Sequence, residues 1–414
     1  MIFKIGENKY SLKTISIIIF LLYPILSVPF FIIGILNRQR WAFILCALFM
    51  GLLAILYPPA GDLYRYAEDF NLYKDCDWST FTILLVFKFD YFLPFISFCI
   101  GKLGGTVELT RFIFTFLSYY LLFDLFLLIV KDNKSLLERN IYICALIILV
   151  PLTFWTFLFR YFFAAAFLLN GTYRWFFYNE KKGLFLIGFS ILVHVSYIPF
   201  IFLCWFAKSR FFKFHYIIVI ILFALAFILD TASLGEKLLT ILPFSDSLVE
   251  HIFEYIDGSQ SEDTTKNFSL LQMLVFYISN FVSFYIYYVY IRIYRLNYNI
   301  YMNLVNLMLI MLLVTASFPV IFGRLTLINL FLIKISMLIS YLKTGKLTRY
   351  FKYMCYATIF LFAISCWQKR FFLSVSFESK IFTSTLYDIL TFSYSEDWVN
   401  SNLDEEGDFY KRLG

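Results

Sequence analysis

The sequence predicts an all-α, polytopic integral membrane protein, with about eleven to twelve transmembrane or re-entrant helices around an outward-facing cavity. Three observations predict it. Of 414 residues 61% are hydrophobic and only 15% charged, and the mean hydropathy of +0.77 lies beyond the range of soluble domains. The apolar residues fall into runs of bilayer-spanning length. Inside those runs sit a few ionisable side chains, which at membrane depth cost several kcal/mol unless they face a partner or water, and so mark functional positions.

Taken in order, runs that suit a hydrocarbon core of ~30 Å lie at 15–36, 41–57, 106–130, 141–159, 161–178, 183–207, 216–230, 269–291, 301–322, 325–342 and 353–368. The first reads as a full span and not as a cleavable signal. Six basic clusters separate the runs: Arg38/Arg40, Lys131/Lys134/Arg139, Arg174/Lys181/Lys182, Lys208/Arg210/Lys213, Arg292/Arg295 and Lys343/Lys346/Arg349/Lys352. Placing them on the cytoplasmic side puts the N-terminus outside, against the preference of Lys4, Lys9 and Lys13. It also puts the loops 58–105 and 231–268 and the chain from Trp367 outside. The expected layout is one helical membrane domain, 1–374, and a polar C-terminal tail, 375–414. A net charge of +7 reflects these basic loops and implies no nucleic-acid partner. The seven cysteines show neither a disulfide framework nor metal-ligand spacing, so no metal or cofactor is expected.

The stretch from Arg160 to Ser196 concentrates the signal. It opens with an arginine on an apolar segment, turns at Arg174, Asn179, Glu180, Lys181 and Lys182, and closes on His194 and Ser196 inside the next apolar segment. The alternatives are a snorkelling Arg160 and a packed, hydrogen-bonded His194. The run 183–207 carries basic clusters at both ends. Either it breaks near His194, helped by Pro199, into two half-helices that return to the same side, or it is one continuous helix with Lys208, Arg210 and Lys213 outside.

The loop 58–105 is too long for an ordinary connection. Its first half gathers Asp62, Arg65, Tyr66, Glu68, Asp69, Tyr73 and Trp78. Carboxylates, a guanidinium and aromatic faces side by side suit sugar recognition; the alternative is a solvated acidic loop with an interfacial helix at 89–103. Arg324, preceded by Gly323, stands at the junction of two later runs. Two arginines from different helices, Arg160 and Arg324, would grip a lipid diphosphate through bidentate hydrogen bonds that lysine does not match. Arg111 is a third candidate.

In order along the chain, Gly61-Asp62 with Tyr66, Arg160 followed by Ala164, Ala165 and Ala166, the basic knot, His194-Val195-Ser196, and Gly323-Arg324 resemble the EpsG-type branch of the Wzy polysaccharide polymerases. The likeness covers nearly the whole chain through short motifs. Where that family carries an arginine just before the Gly-Asp pair, this chain has Tyr57, Pro58 and Pro59, with Arg65 as the candidate substitute.

The resemblance implies polymerisation of lipid-linked oligosaccharide repeat units on the outer face of the bacterial cytoplasmic membrane, for O-antigen, capsule or exopolysaccharide. The implied substrates are glycans on undecaprenyl diphosphate, with membrane lipids around the protein and a chain-length regulator as a candidate partner. A leaving diphosphate is a stabilised anion, so positive charge from Arg160 and Arg324 is the main requirement. His194 would accept the proton of the attacking sugar hydroxyl, with Asp62 as the second choice. Arg65, Tyr66, Asp69, Ser196 and Arg111 would bind substrate. The spacing Asp75-Cys76-Asp77 lies in the outer loop, away from any cytosolic nucleotide sugar. A flippase of the same glycan, a lipid-diphosphate ligase and a membrane acyltransferase are the competing classes.

Overall fold

The computed structural model describes residues 9–131 apart from 87 and 89, then 139–149, 159–209, 285–292, 299–315, 319–344, 348–377 and 380–404, with a few single positions besides. Among these every regular element is helical; the one extended contact is an antiparallel bridge between Leu403 and Phe409. The expected loop 231–268 lies outside the described residues. Among the described residues, two helices, Val107–Lys131 and Phe322–Leu342, are long and apolar enough to cross a membrane, and seven shorter apolar helices accompany them.

The chain divides into two compact units. The first comprises Met1–Ile143, Val150–Ile198 and Ser365–Gly414; the second comprises Cys144–Leu149 and Pro199–Ile364.

The first unit begins with α1 (Lys9–Leu22) and α2 (Val28–Leu36), joined by a 3-10 turn at Pro24–Ser27. The expectation of one continuous span over 15–36 is corrected here. Tyr23 precedes a proline and adopts φ −135°, ψ 94°, because the proline ring disfavours helix at the preceding residue. Next come α3 (Arg40–Ile55), then α4 (Asp62–Asp75), α5 (Trp78–Val86) and α6 (Phe92–Lys102), and then α7 (Val107–Lys131). The stretch read as a loop is therefore largely helical. Its polar half is α4, and α6 lies within the range 89–103, where a helix was the alternative expectation. Asp77 caps α5: Thr80 N–H and the Ser79 hydroxyl donate to its carboxylate and hold its pKa down to about 2.

Helices α3 and α7 pack closely, with Gly51 against Phe112 and the Phe43 ring edge-on to Phe123 at 5.2 Å. Helix α8 (Arg139–Leu149) follows. Then come α9 (Phe159–Tyr173), a π-turn at Arg174–Tyr178, and α10 (Lys181–Val193), which together form an antiparallel hairpin. The αL residue Asn179 (φ 54°) ends the turn. Opposed pairs fix the hairpin register: Gly171 with Gly183 and Ile187, Phe167 with Phe189, and Tyr161 with His194.

The closed end of the hairpin is an ionic knot. Arg174 donates to Asp124 of α7 at 2.7 Å, to Glu180 at 2.9 Å and to Asn170 at 2.8 Å, while Asn170 donates to the Leu121 carbonyl and to Asp124. The cost of bringing Arg174 and Asp124 together at this depth is offset because each charge meets its partner at hydrogen-bond distance.

After α3 the chain turns sharply through Tyr57–Gly61, and three contacts hold this elbow. Arg111, 1% exposed, donates to the Tyr57 carbonyl at 2.7 Å and pairs with Glu108 at 3.0 Å. The Tyr394 hydroxyl donates to the Leu56 carbonyl, and Gly61 N–H to the Gly407 carbonyl. The C-terminal residues thus fold back onto the start of α4. Gly61 takes φ +60°, a conformation that favours glycine.

In the second unit, α11 (Ile198–Lys208) precedes α12 (Ile300–Val314) and α13 (Pro319–Thr344), followed by α14 (Thr348–Gln368). Buried amides join them: Asn299 donates to the Ser336 carbonyl and the Ser340 hydroxyl, and Asn303 to the Ala207 carbonyl.

The register makes a direct prediction. A Cβ on Gly171 would meet the Gly183 carbonyl oxygen at 2.7 Å, whereas one on Gly188 meets nothing within 4 Å. Gly171→Ala is expected to destabilise the protein by about 1–3 kcal/mol and Gly188→Ala to be neutral or mildly stabilising. Thermal denaturation in detergent checks the contrast, and equal midpoints for the two variants would refute the register.

Candidate functional site

The open end of the hairpin carries the candidate site. Helix α9 is 15 residues long, about 22 Å, so the knot at Arg174 and the arginine at Arg160 mark its two ends. Helix α10 stops at Val193. His194 leaves helical geometry (φ −153°, ψ 115°), Val195–Tyr197 form a single 3-10 turn, and α11 starts at Ile198. The segment 183–207 is thus broken at His194. Pro199 contributes by having no N–H to continue the α10 ladder.

Asp90 faces both residues. It lies between α5 and α6, and the Phe92 ring holds it there by wedging against Phe189 at 4.9 Å, Phe114 at 5.7 Å and Phe163 at 6.0 Å. One carboxylate oxygen, Oδ2, lies 2.9 Å from Arg160 Nη1 and 3.4 Å from His194 Nδ1. The other, Oδ1, accepts from the Val195 N–H at 2.6 Å. Asp90 and His194 are buried, whereas the Arg160 side chain remains 24% exposed.

Aromatic rings complete the wall. Tyr66 of α4 places its ring 5.4 Å from the Arg160 guanidinium carbon, a cation–π contact, and packs edge-on against Phe159. The Tyr161 ring stands edge-on to His194 at 5.6 Å, and the Tyr197 hydroxyl donates to the Tyr161 carbonyl, tying the 3-10 turn to α9.

The other sequence candidates are dispersed. Asp62 opens α4, half-buried, and Arg65 is exposed on that helix. Asp69 pairs with Lys88 at 3.0 Å, which anchors the segment leading to Asp90. Ser196 is exposed on the 3-10 turn. Arg111 is committed to the elbow. Arg324 is half-buried in the second turn of α13, within the second unit, and not at a helix junction as the apolar runs suggested. Sequence reasoning missed Asp90, although its context Phe87-Lys88-Phe89-Asp90-Tyr91-Phe92 carried the same signal that marked Arg160 and His194.

Burial alone would push the Asp90 carboxyl up. The His194 contact, the Arg160 and His194 charges and the Val195 N–H together more than offset it, and hold the group below the usual carboxylate range.

A model of the EpsG family matches residues 39–378. The chain belongs to the EpsG family. It matches no curated protein and no solved structure significantly. Family membership, with the apolar helices, makes this EpsG-family chain a membrane protein and suggests a polysaccharide-polymerase or glycosyltransferase-like role.

The depressed Asp90 group fixes a pH dependence. Its folded value lies below the unfolded ~3.9, so its charge stabilises the fold fully above that value and the contribution is lost as pH falls through the folded value. The stability difference between wild type and Asp90→Asn, from thermal denaturation in detergent, is expected to shrink below about pH 4. A difference that persists unchanged to pH 3 would contradict the ion pair.

Proposed function

We propose that the protein polymerises lipid-linked oligosaccharide repeat units. It transfers a growing glycan from undecaprenyl diphosphate to the terminal sugar hydroxyl of a new lipid-linked repeat, at the outer face of the bacterial cytoplasmic membrane. The observation that carries this reading is the open end of the α9–α10 hairpin, where a partly exposed arginine and a histidine share one buried carboxylate beside the tyrosine of α4.

Each part has a chemical use. Arg160 offers planar, charge-assisted donors to the leaving diphosphate. His194 accepts the proton of the attacking hydroxyl. Tyr66 offers an aromatic face to a sugar ring, with Asp62 and Arg65 on the same helix as further polar contacts. In this reading Arg324 is the second diphosphate ligand, about eleven to twelve spanning or half-spanning segments surround an outward-facing cavity, and the membrane is crossed many times.

The test is incubation of purified protein with its lipid-linked repeat. A ladder of glycan lengths is expected, and translocation of the lipid-linked glycan in vesicles without a ladder would favour a flippase instead. Arg160→Lys should impair turnover because a point charge does not reproduce the guanidinium fork. His194→Gln should lower turnover by about 10²–10⁴ while undecaprenyl diphosphate still binds. Full-length polymer from both variants would refute the assignment.

A further inference from the structure

Helices α3 and α7 run antiparallel, with Gly51 against Phe112 and Phe43 against Phe123, and each turns one stripe of side chains toward a groove between them. From α3 come Arg40, Phe43 and Ile44, at spacings i, i+3 and i+4. From α7 come Tyr120, Phe123, Asp124 and Leu127, at i, i+3, i+4 and i+7. The groove is graded along its length. Arg40 opens α3, and the antiparallel register brings it level with the Asp124 end of the α7 stripe. Phe43 and Ile44 lie one turn further along α3, toward Tyr120. Charge therefore sits at one end and apolar surface at the other, with the buried Phe43 and Phe123 rings as a floor.

The charges at the polar end do not satisfy each other. Arg40 and Asp124 line the same groove but form no ion pair. Nearby, Arg38 lies 4.9 Å from the centroid of the Tyr142 ring and Arg174 is bound in the knot. Among the described residues no hydrogen bond or ion pair engages the exposed Arg40. Asp124 gives one oxygen, Oδ2, to both Arg174 and Asn170, and among the described residues its Oδ1 accepts no hydrogen bond. The knot sets one guanidinium against two carboxylates, Asp124 and Glu180, so it carries a negative charge in excess. An unpaired cation and an electron-rich carboxylate thus stand at the mouth of one amphipathic groove.

We propose that this groove is a binding site for a zwitterionic phospholipid whose headgroup carries a primary amine. The phosphate pairs with Arg40, the ammonium donates to Asp124, and an acyl chain lies along Phe43, Ile44 and Tyr120.

Charge complementarity selects this occupant. Such a headgroup sets an anion and a cation a few bonds apart and joins them to a hydrocarbon chain, which is the order of groups that the groove presents. Pockets between membrane helices that carry basic side chains are a recurrent place for headgroups. An anionic headgroup without an amine would satisfy Arg40 but leave Asp124 facing a like charge. A trimethylammonium headgroup keeps the positive charge but has no N–H to donate to Oδ1.

The groove is separate from the candidate site at Arg160. The 15 residues of α9, about 22 Å, lie between that arginine and the knot. A lipid held here bridges α3 to the knot that joins α7, α9 and α10. Its binding is therefore linked to the stability of the fold, and it needs no turnover to be observed.

The experiment uses the full-length protein, delipidated in detergent and titrated with phosphatidylethanolamine, phosphatidylcholine or phosphatidylglycerol of identical acyl chains. Native mass spectrometry reads the bound lipid, and thermal denaturation reads its effect on the fold. Phosphatidylethanolamine should bind about tenfold or more tighter than phosphatidylcholine, the difference expected for hydrogen bonds to a charged acceptor. It should also raise the melting midpoint as its concentration rises.

Arg40→Gln, a change at an exposed position, should weaken phosphatidylethanolamine binding about tenfold or more. Ile44→Trp should obstruct the groove without altering charge. Lys182→Gln removes an exposed cation from the start of α10 and should bind as the wild type does. Equal affinity for the three lipids, or tightest binding of phosphatidylglycerol, would overturn the headgroup assignment. Unchanged affinity in Arg40→Gln would overturn the site. A loss in Lys182→Gln as large as that in Arg40→Gln would do the same, because it would reduce the effect to general surface charge.

Discussion

A buried charge without a partner costs several kcal/mol, and the first unit is built around meeting that cost twice along one helical hairpin. At the closed end, Arg174 is held by Asp124, Asn170 and Glu180. At the open end, Arg160 and His194 share Asp90. The two clusters are used differently. Every hydrogen-bonding direction that the structure assigns to Arg174 ends on a neighbour that ties α7, α9 and α10 together, which suits a fixed pivot. Arg160 is partly exposed and lies against the Tyr66 ring and the Asp90 carboxylate.

Between the clusters, the hairpin carries the geometry. Gly171 and Gly183 bring the two backbones into contact near the knot, and the phenylalanine and tyrosine pairs keep the register toward the open end. Phe92 wedges among α7, α9 and α10, and so sets Asp90 two residues earlier. Arg111 and the returning C-terminal residues hold the elbow from which α4 starts, and α4 brings Tyr66 over Arg160. The open end of the hairpin is thus supported by backbone approach and ring packing rather than by the loops that lead to it.

Much of this was legible in the sequence, for a physical reason: ionisable groups stand out against an apolar background. That contrast pointed to Arg160, His194 and the break in 183–207. The same contrast was present at Asp90 and Asp124 but went unread, since an aspartate in an aromatic-rich stretch was absorbed into a loop and one in a long span into its helix. Hydropathy alone was blind to Pro24, which splits the first apolar run, and to the helical character of 62–75, whose low hydropathy resembles a solvated loop. The return of the C-terminal residues to Leu56 and Gly61 rests on single backbone hydrogen bonds between distant positions, which leave no pattern in composition or periodicity.

The central claim is that Arg160 and His194 serve one transfer step, and a double-mutant cycle in kcat tests it most directly. If both act on that step as a unit, adding Arg160→Lys to His194→Gln should slow turnover little beyond the slower single variant. Losses that multiply, with the double variant slower by the product of the two single effects, would contradict the account.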